Sequence, residues 1–445
     1  MAPTFVDLFC GIGGFRIGLE AAGFECVYAN DIDSQAVKVY QINRHADADY
    51  PVVCADIRDV FHNNLDQIPS HHLLAAGFPC NSYSLAGNNK GDDDPEYGDL
   101  GSYVVKIAEA KRPVLVLLEN VPGFFTTLRG WYKKLKARFE VAGYRCSYDL
   151  LTAPAFNLPQ ARKRGFIVAV REDIHPVPFT FPPAPEEKKV ALRGFLLPAG
   201  SEDLRGQMMV KARDFPMLWA TKNWPNKPAL EDVVDTVRDD QRTNQYSGLI
   251  LLGWRKGLKK RSYSRVYHDL GHLPTVMTNG SQDAWFLTPG AEGEGPVVRR
   301  THLKEMRRVQ GFPDSFILDG SKTDAKKQLG HAVPPPMVRY LGLLLMEKFG
   351  YALLDDAVIA PNSSGSRSSS QRKERSASRK NGLKREWRLE PQERAFLKSE
   401  EWTLSKPEER TFIEPEERTF IESEERTLLK PGQGAFIQVS ASAAS

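Results

Sequence analysis

The chain has 445 residues, 41% of them hydrophobic and 26% charged, with a formal net charge of +4. This length and apolar content are enough for two or three domains with buried cores, and no run of about twenty apolar residues marks a transmembrane helix. The mild positive charge permits a nucleic-acid partner without demanding one, and MAPTFVDLFC at the N-terminus lacks the basic-then-apolar pattern of a secretory signal.

Up to residue 170, short apolar runs alternate with amphipathic segments. TFVDLFC (4–10), FECVYA (24–29), HLLAAG (72–77), PVLVLLE (113–119) and GFIVAV (165–170) are predicted strands. GFRIGLEAA, SQAVKVYQIN with Ser34 as its N-cap, SYVVKIAEAK and RGWYKKLKARFEVA are predicted helices. Strand–helix alternation with strands apolar on both faces implies an α/β fold, with a parallel sheet covered by helices on both sides.

Several residues in this region carry chemistry. The first strand runs into DLFCGIGGFRIGLE (7–20), a glycine turn between strand and helix that would place backbone N–H groups beside a ligand. Arg16 stands where the third glycine of a dinucleotide-binding turn would fall, so a cofactor without a pyrophosphate fits better. Asp31, in ANDID at the end of the second strand, could receive a ribose hydroxyl pair, and Asp56 in CADIRD ends the next apolar stretch. Carboxylates at successive strand tips point to a nucleoside-type ligand at that sheet edge.

Cys80 follows GFP at the end of the third predicted strand, where Pro79 stiffens the backbone and presents the thiol at the same edge. A thiol with a pKa near about 8.5 needs positive charge or helix N-terminal amides to act as a nucleophile. The other cysteines, Cys10, Cys26, Cys54 and Cys146, sit in or beside strand-like runs and are assigned to the core. All five lie in the first third without a CxxC pair, and the nine histidines show no metal-ligand spacing. A reduced, intracellular, metal-free protein is expected. Glu119, ending an apolar run in LLENVPG, should be desolvated and so hold its proton more tightly. In LPQARKRGF, alternation places Gln160, Arg162 and Arg164 on one side of an extended segment.

Beyond Arg171 the pattern changes. Residues 172–298 are rich in proline and glycine, carry Trp219, Trp224, Trp254 and Trp285, and include WRKGLKKRSYSR (254–265). A smaller irregular domain with some β structure is expected there. Helical pattern returns at THLKEMRRVQGF and at the apolar MVRYLGLLLMEKF (337–349). From residue 353 the chain becomes a low-complexity tail, with the Ser/Arg-rich SSGSRSSSQRKERSASRK and the octapeptides KPEERTFI, EPEERTFI and ESEERTLL. That composition predicts disorder.

DLFCGIGG, GFPCNSYS, ENV, QARKR, RVQGFPDSF and GHAVPPP, in this order and spacing, resemble the DNA cytosine-5 methyltransferase family from residue 4 to about 350. The resemblance implies a Rossmann-like S-adenosylmethionine-dependent methyltransferase fold, with a catalytic domain of residues 1–171 and 299–352 and a target-recognition domain at 172–298. It makes Cys80 the nucleophile at carbon 6 of cytosine and Glu119 the proton-bearing partner of ring nitrogen 3. Arg162 and Arg164 would orient the base and support the thiolate. Phe9, Gly11, Gly13, Gly14, Asp31, Ile32, Asp56, Ile57, Pro79, His331 and Ala332 would line the S-adenosylmethionine pocket, with 331–333 folding back onto it. Ser82, Ser84, Lys90, Gln160 and Thr275 would contact double-stranded DNA. A cytoplasmic, nucleoid-associated enzyme, monomeric on DNA and paired with a restriction endonuclease or acting as an orphan, is the implied role.

Three residues depart from the family pattern: Asn81 for Gln after the cysteine, Tyr83 for Phe, and His331 for Asn before Ala-Val-Pro. A tRNA cytosine methyltransferase shares most of these motifs, but the long 172–298 segment and GFPC in place of PPC favour DNA. A non-catalytic DNA-binding relative is a further alternative, against which Cys80, Glu119, Arg162 and Arg164 all stand intact.

Overall fold

The computed structural model describes residues 2–45, 48–79, 100–126, 130–187, 190–220, 228–235, 249–256, 265–277 and 285–353. Residues 80–99, which include Cys80, and the tail from 354 lie outside the described residues.

Seven strands form the first sheet: β1 (Thr4–Leu8), β2 (Glu25–Asp31), β3 (Val52–Cys54), β4 (Leu73–Ala76), β5 (Leu115–Asn120), β6 (Tyr144–Thr152) and β7 (Lys163–Arg171). Their order is β3-β2-β1-β4-β5-β7-β6. The expected parallel sheet is found, with one exception: β7 runs antiparallel to both β5 and β6. The link between β6 and β7, residues 153–162, is shorter than the dozen or more residues a parallel crossover needs, so the pair closes as a hairpin. β6 was not among the predicted strands. It is one of the sheet's two edges, and its half-exposed polar positions interrupt the apolar run that marks its buried neighbours.

Helices cover both faces. On one lie α1 (Gly14–Glu20) and α9 (Pro335–Leu353), packed with Phe5, Leu73, Leu115 and Phe166. On the other lie α3 (Ile57–Asn63), α4 (Leu100–Lys111) and α6 (Trp131–Val141), over Val6, Leu74, Val116 and Ile167. The α1–α9 contact is close because Gly18 has no side chain: a Cβ there would lie 2.5 Å from Val338 Cβ. The apolar 337–349 segment thus packs on α1 above the sheet, and extends at both ends of the predicted range. In α2 (Ser34–Ile42) the N-cap is Asp33, one residue before the expected Ser34; its Oδ1 accepts from the N–H groups of Gln35 and Ala36. Two further helices follow, α7 (Leu303–Val309) and α8 (Lys322–His331). The polar sequence of α8 hid it, but Ser321 and Asp324 form a capping box at its start.

The proline-rich region builds a second sheet from β8 (Met209–Lys211), β9 (Met217–Trp219), β10 (Leu251–Arg255), β11 (Arg265–His268), β12 (Trp285–Thr288) and β13 (Val297–Arg300). Its order is β8-β13-β12-β11-β10-β9, antiparallel except between β11 and β12. Trp285, only 1% exposed, sits at its centre between the guanidinium groups of Arg255 and Arg300. A third apolar cluster joins the two sheets, bringing Ile12 and Val39 together with Tyr267, Phe286, Phe312 and Leu329.

Candidate active site

Because β3, β2 and β1 are parallel neighbours, their C-terminal ends open on one edge. After β1 the chain turns through Phe9, Gly11 and Gly13, with φ of 54°, 51° and 91°. Gly13 suits this left-handed turn because it has no Cβ to clash. The Gly11 N–H donates to Asp31 Oδ2 at 2.8 Å, and the Asp33 N–H donates to Asp31 Oδ1 at 2.9 Å. Burial raises the Asp31 pKa, while these N–H groups pull it back. Beside it Ile32 is 66% exposed, an uncovered apolar surface at a strand tip. Asp56 caps α3, accepting from the Arg58 N–H at 2.8 Å, and Ile57 is buried behind it.

Arg16, in the third-glycine position, is 2% exposed. It stacks 4.8 Å from the Tyr40 ring and donates to the Asn43 carbonyl at 2.8 Å. The glycine turn is thereby tied to α2. Gly14 faces the late segment: a Cβ there would fall 2.3 Å from the Val333 carbonyl oxygen. Val333 therefore lies against the start of α1, directly after the first turn. His331 is exposed at the end of α8, and desolvation by the surrounding chain, with Lys327 and Arg162 adding to it, lowers its pKa to about 4.

Glu119 lies at the end of β5, and Arg164 Nε is 2.8 Å from its Oε1. Burial raises the Glu119 pKa, with Arg164 and then Arg162 opposing the rise. Gly77, on the exit from β4 towards Cys80, approaches the same carboxyl: a Cβ on it would be 3.7 Å from Glu119 Oε2. Asn120 Nδ2 donates to the Phe78 carbonyl at 3.3 Å, fastening β5 to the segment that reaches half-buried Pro79. Cys80 itself, with Asn81, Ser82, Tyr83, Ser84 and Lys90, lies outside the described residues.

The three alternating residues divide their work. Arg164 reaches Glu119. Arg162 is 1% exposed and donates to the carbonyls of Val276 (3.3 Å), Gly330 (3.0 Å) and buried Ala332 (2.8 Å). Gln160 is fully buried, and its amide donates to the Val309 carbonyl and to Gln310 Oε1, both at 2.8 Å. Thr275, half-buried, donates its hydroxyl to the Ala161 carbonyl at 2.6 Å. Gln310, which sequence reasoning passed over although RVQGF contains it, also donates to the Ala332 carbonyl. These bonds bind the segment after β11 and residues 330–332 to QARKR.

Residues 3–346 match the model of the C-5 cytosine-specific DNA methylase family. The chain belongs to that family. This cytosine-5 DNA methylase is 30% identical over 338 residues to the Type II methyltransferase M.HhaI of Haemophilus parahaemolyticus, covering 76% of this chain and 92% of that one. It is 29% identical over 340 residues to the Type II methyltransferase M.DsaV of Dactylococcopsis salina, covering 75% and 83%. In fold it is similar to the S. pombe Dnmt2 methyltransferase, with a TM-score of 0.51 at 16% identity, over 78% of this chain and 99% of that one. The strand order β3-β2-β1-β4-β5-β7-β6, parallel but for β7, is the Rossmann-like methyltransferase architecture, and the enzyme transfers methyl groups to carbon 5 of cytosine in DNA.

Proposed function

We propose that this enzyme methylates a cytosine turned out of duplex DNA at a specific sequence, with Cys80 as the nucleophile and S-adenosylmethionine as cofactor. The observation that supports this most is Glu119: buried, with its pKa raised by that burial, 2.8 Å from Arg164, and beside Gly77 on the strand exit that runs to Cys80. A base stacked in the helix is out of reach of these groups, so extrusion, at a few kcal/mol, precedes the chemistry.

The Cys80 thiolate adds to carbon 6 while Glu119 gives a hydrogen bond to ring nitrogen 3 and meets the charge that develops there. Carbon 5 then carries the electron density that accepts the methyl group. Loss of the carbon-5 proton and departure of the thiolate restore the aromatic ring. Arg164 orients the Glu119 carboxyl, and Arg162 holds 276 and 330–332 around it.

The turn of Phe9, Gly11, Gly13 and Gly14, the Asp31 carboxyl and the exposed face of Ile32 suit a nucleoside ligand, with a hydroxyl-accepting acid beside a flat apolar surface. Asp56, Ile57, Pro79, His331 and Ala332 complete its pocket. S-adenosylmethionine bound there supplies the methyl group. Ser82, Ser84, Lys90 and Thr275 are assigned to the DNA backbone, while Gln160, being enclosed, acts through Val276 and Gln310. Residues 172–298 are assigned to target recognition. A cytoplasmic, nucleoid-associated enzyme, monomeric on DNA and protecting it from a cognate endonuclease, completes the reading.

Bisulfite sequencing of DNA from a methylation-free host expressing this chain should show methylcytosine at one recurring sequence. Cys80→Ser should abolish it while retaining DNA binding. Methylation found only in the host's tRNA would transfer the assignment to that substrate, and methylation persisting in Cys80→Ser would remove the nucleophile.

A further inference from the structure

Gly165, the residue after Arg164, does not adopt the left-handed backbone that favours glycine. It is glycine for lack of room. A Cβ placed there would meet three atoms of the Phe125 ring, Cε2 at 2.0 Å and Cδ2 and Cζ at 2.5 Å. No side chain can share that space, so ring and glycine form a matched pair.

Phe125 lies on α5 (Pro122–Thr126), the short helix just after Glu119 and Asn120. Antiparallel pairing sets Asn120 opposite Gly165 and Glu119 opposite Phe166. Directly opposed residues share a face, so Glu119 and Arg164 stand on one side of the sheet, with Gly165 and Phe125 behind them. The adjacent Phe124 meets Phe125 edge-on at 5.3 Å and Phe78 edge-on at 5.6 Å. Phe125 also stacks on Tyr148 of β6 at 4.8 Å and 23°. One turn of helix therefore touches the segment leading to Cys80, begins three residues after Glu119, and presses on β7 at the residue after Arg164.

We propose that Phe125, seated on Gly165, is a positioning residue that holds Arg164 in register with Glu119. The inference rests on the roles given above to those two side chains. Small displacements of a catalytic group carry large rate penalties, on the order of 100-fold for about 1 Å.

The test uses the full-length enzyme, DNA from the methylation-free host and tritium-labelled S-adenosylmethionine. Gly165→Val and Phe125→Ala should each lower kcat about tenfold or more, with the KM for S-adenosylmethionine little changed. The double variant Phe125→Ala/Gly165→Val returns bulk from the opposite side and should exceed Gly165→Val alone in kcat by about tenfold, a coupling expected of residues in direct contact. With Arg164 loosened, the pH at which the rate of Phe125→Ala falls should move upward, a change that mere loss of folded protein would not cause. Additive single effects, or an unmoved pH profile in Phe125→Ala, would overturn the proposal. Glu119→Gln run alongside separates the two levels: if it is inactive while the pair shows no coupling, only the positioning role fails.

Discussion

Glu119 holds its proton more tightly than a solvated glutamate does. Burial is the larger influence on it, and the guanidinium of Arg164 at 2.8 Å the main opponent. Two consequences follow from the sign. A carboxyl whose folded pKa is raised contributes stability that is fully present below its unfolded value and is lost as pH rises through the folded value. If the rate also needs the proton, activity falls over that same rise. Glu119→Gln should keep the hydrogen bond but lose the transferable proton, cutting kcat by roughly 100-fold or more. It should also remove that descending limb from the pH–rate profile; a retained limb would assign it to another group. At this scale the sequence was informative wherever local context decides behaviour. An acid closing an apolar run is desolvated wherever that run is buried, and so Glu119 could be singled out. Arg162 could not be read this way, because its partners, the carbonyls of Val276, Gly330 and Ala332, are more than a hundred residues away.

Elements are held by contacts of the same long range. The glycine turn after β1 is backed by α1, and α1 is backed by α9 from the far end of the domain, with Gly18 at their close approach. Gly18→Ala would press a methyl group onto Val338 and the Pro335 carbonyl, 2.5 and 2.7 Å from the new atom. Overpacking of this kind typically costs about 1–3 kcal/mol, and a lowered urea midpoint with an unchanged slope would show it. A midpoint equal to the wild type would mean that α9 shifts at no cost. Buried strands were legible because each is apolar on both faces. The edge strand β6 and the polar helix α8 were not, since neither needs an apolar run when one side meets water. The direction of β7 was hidden too, because it depends on the length of the link before it rather than on its composition.

Over the whole molecule, the family match ends at residue 346 and the last described residue is 353. Removal of residues 361–445 should therefore leave both methylation rate and recurring site unchanged in the bisulfite assay. Loss of either would give the octapeptide segment a part in DNA recognition. The proline-rich region, expected to be irregular with some β structure, holds a six-stranded sheet with its own core around Trp285. Short strands broken by proline and glycine leave little periodicity to detect, so only pairing across the sheet reveals them.

By itself the sequence determined the α/β class and the family, because each rests on residue type in a short, ordered context. The tertiary structure alone decided which groups meet: Arg164 with Glu119, Arg162 with the late segment at 330–332, Val333 with Gly14, and Phe125 with Gly165. The physical reason is that a side chain's chemistry is local, whereas its partner is chosen by how distant strands and helices bury their apolar faces together.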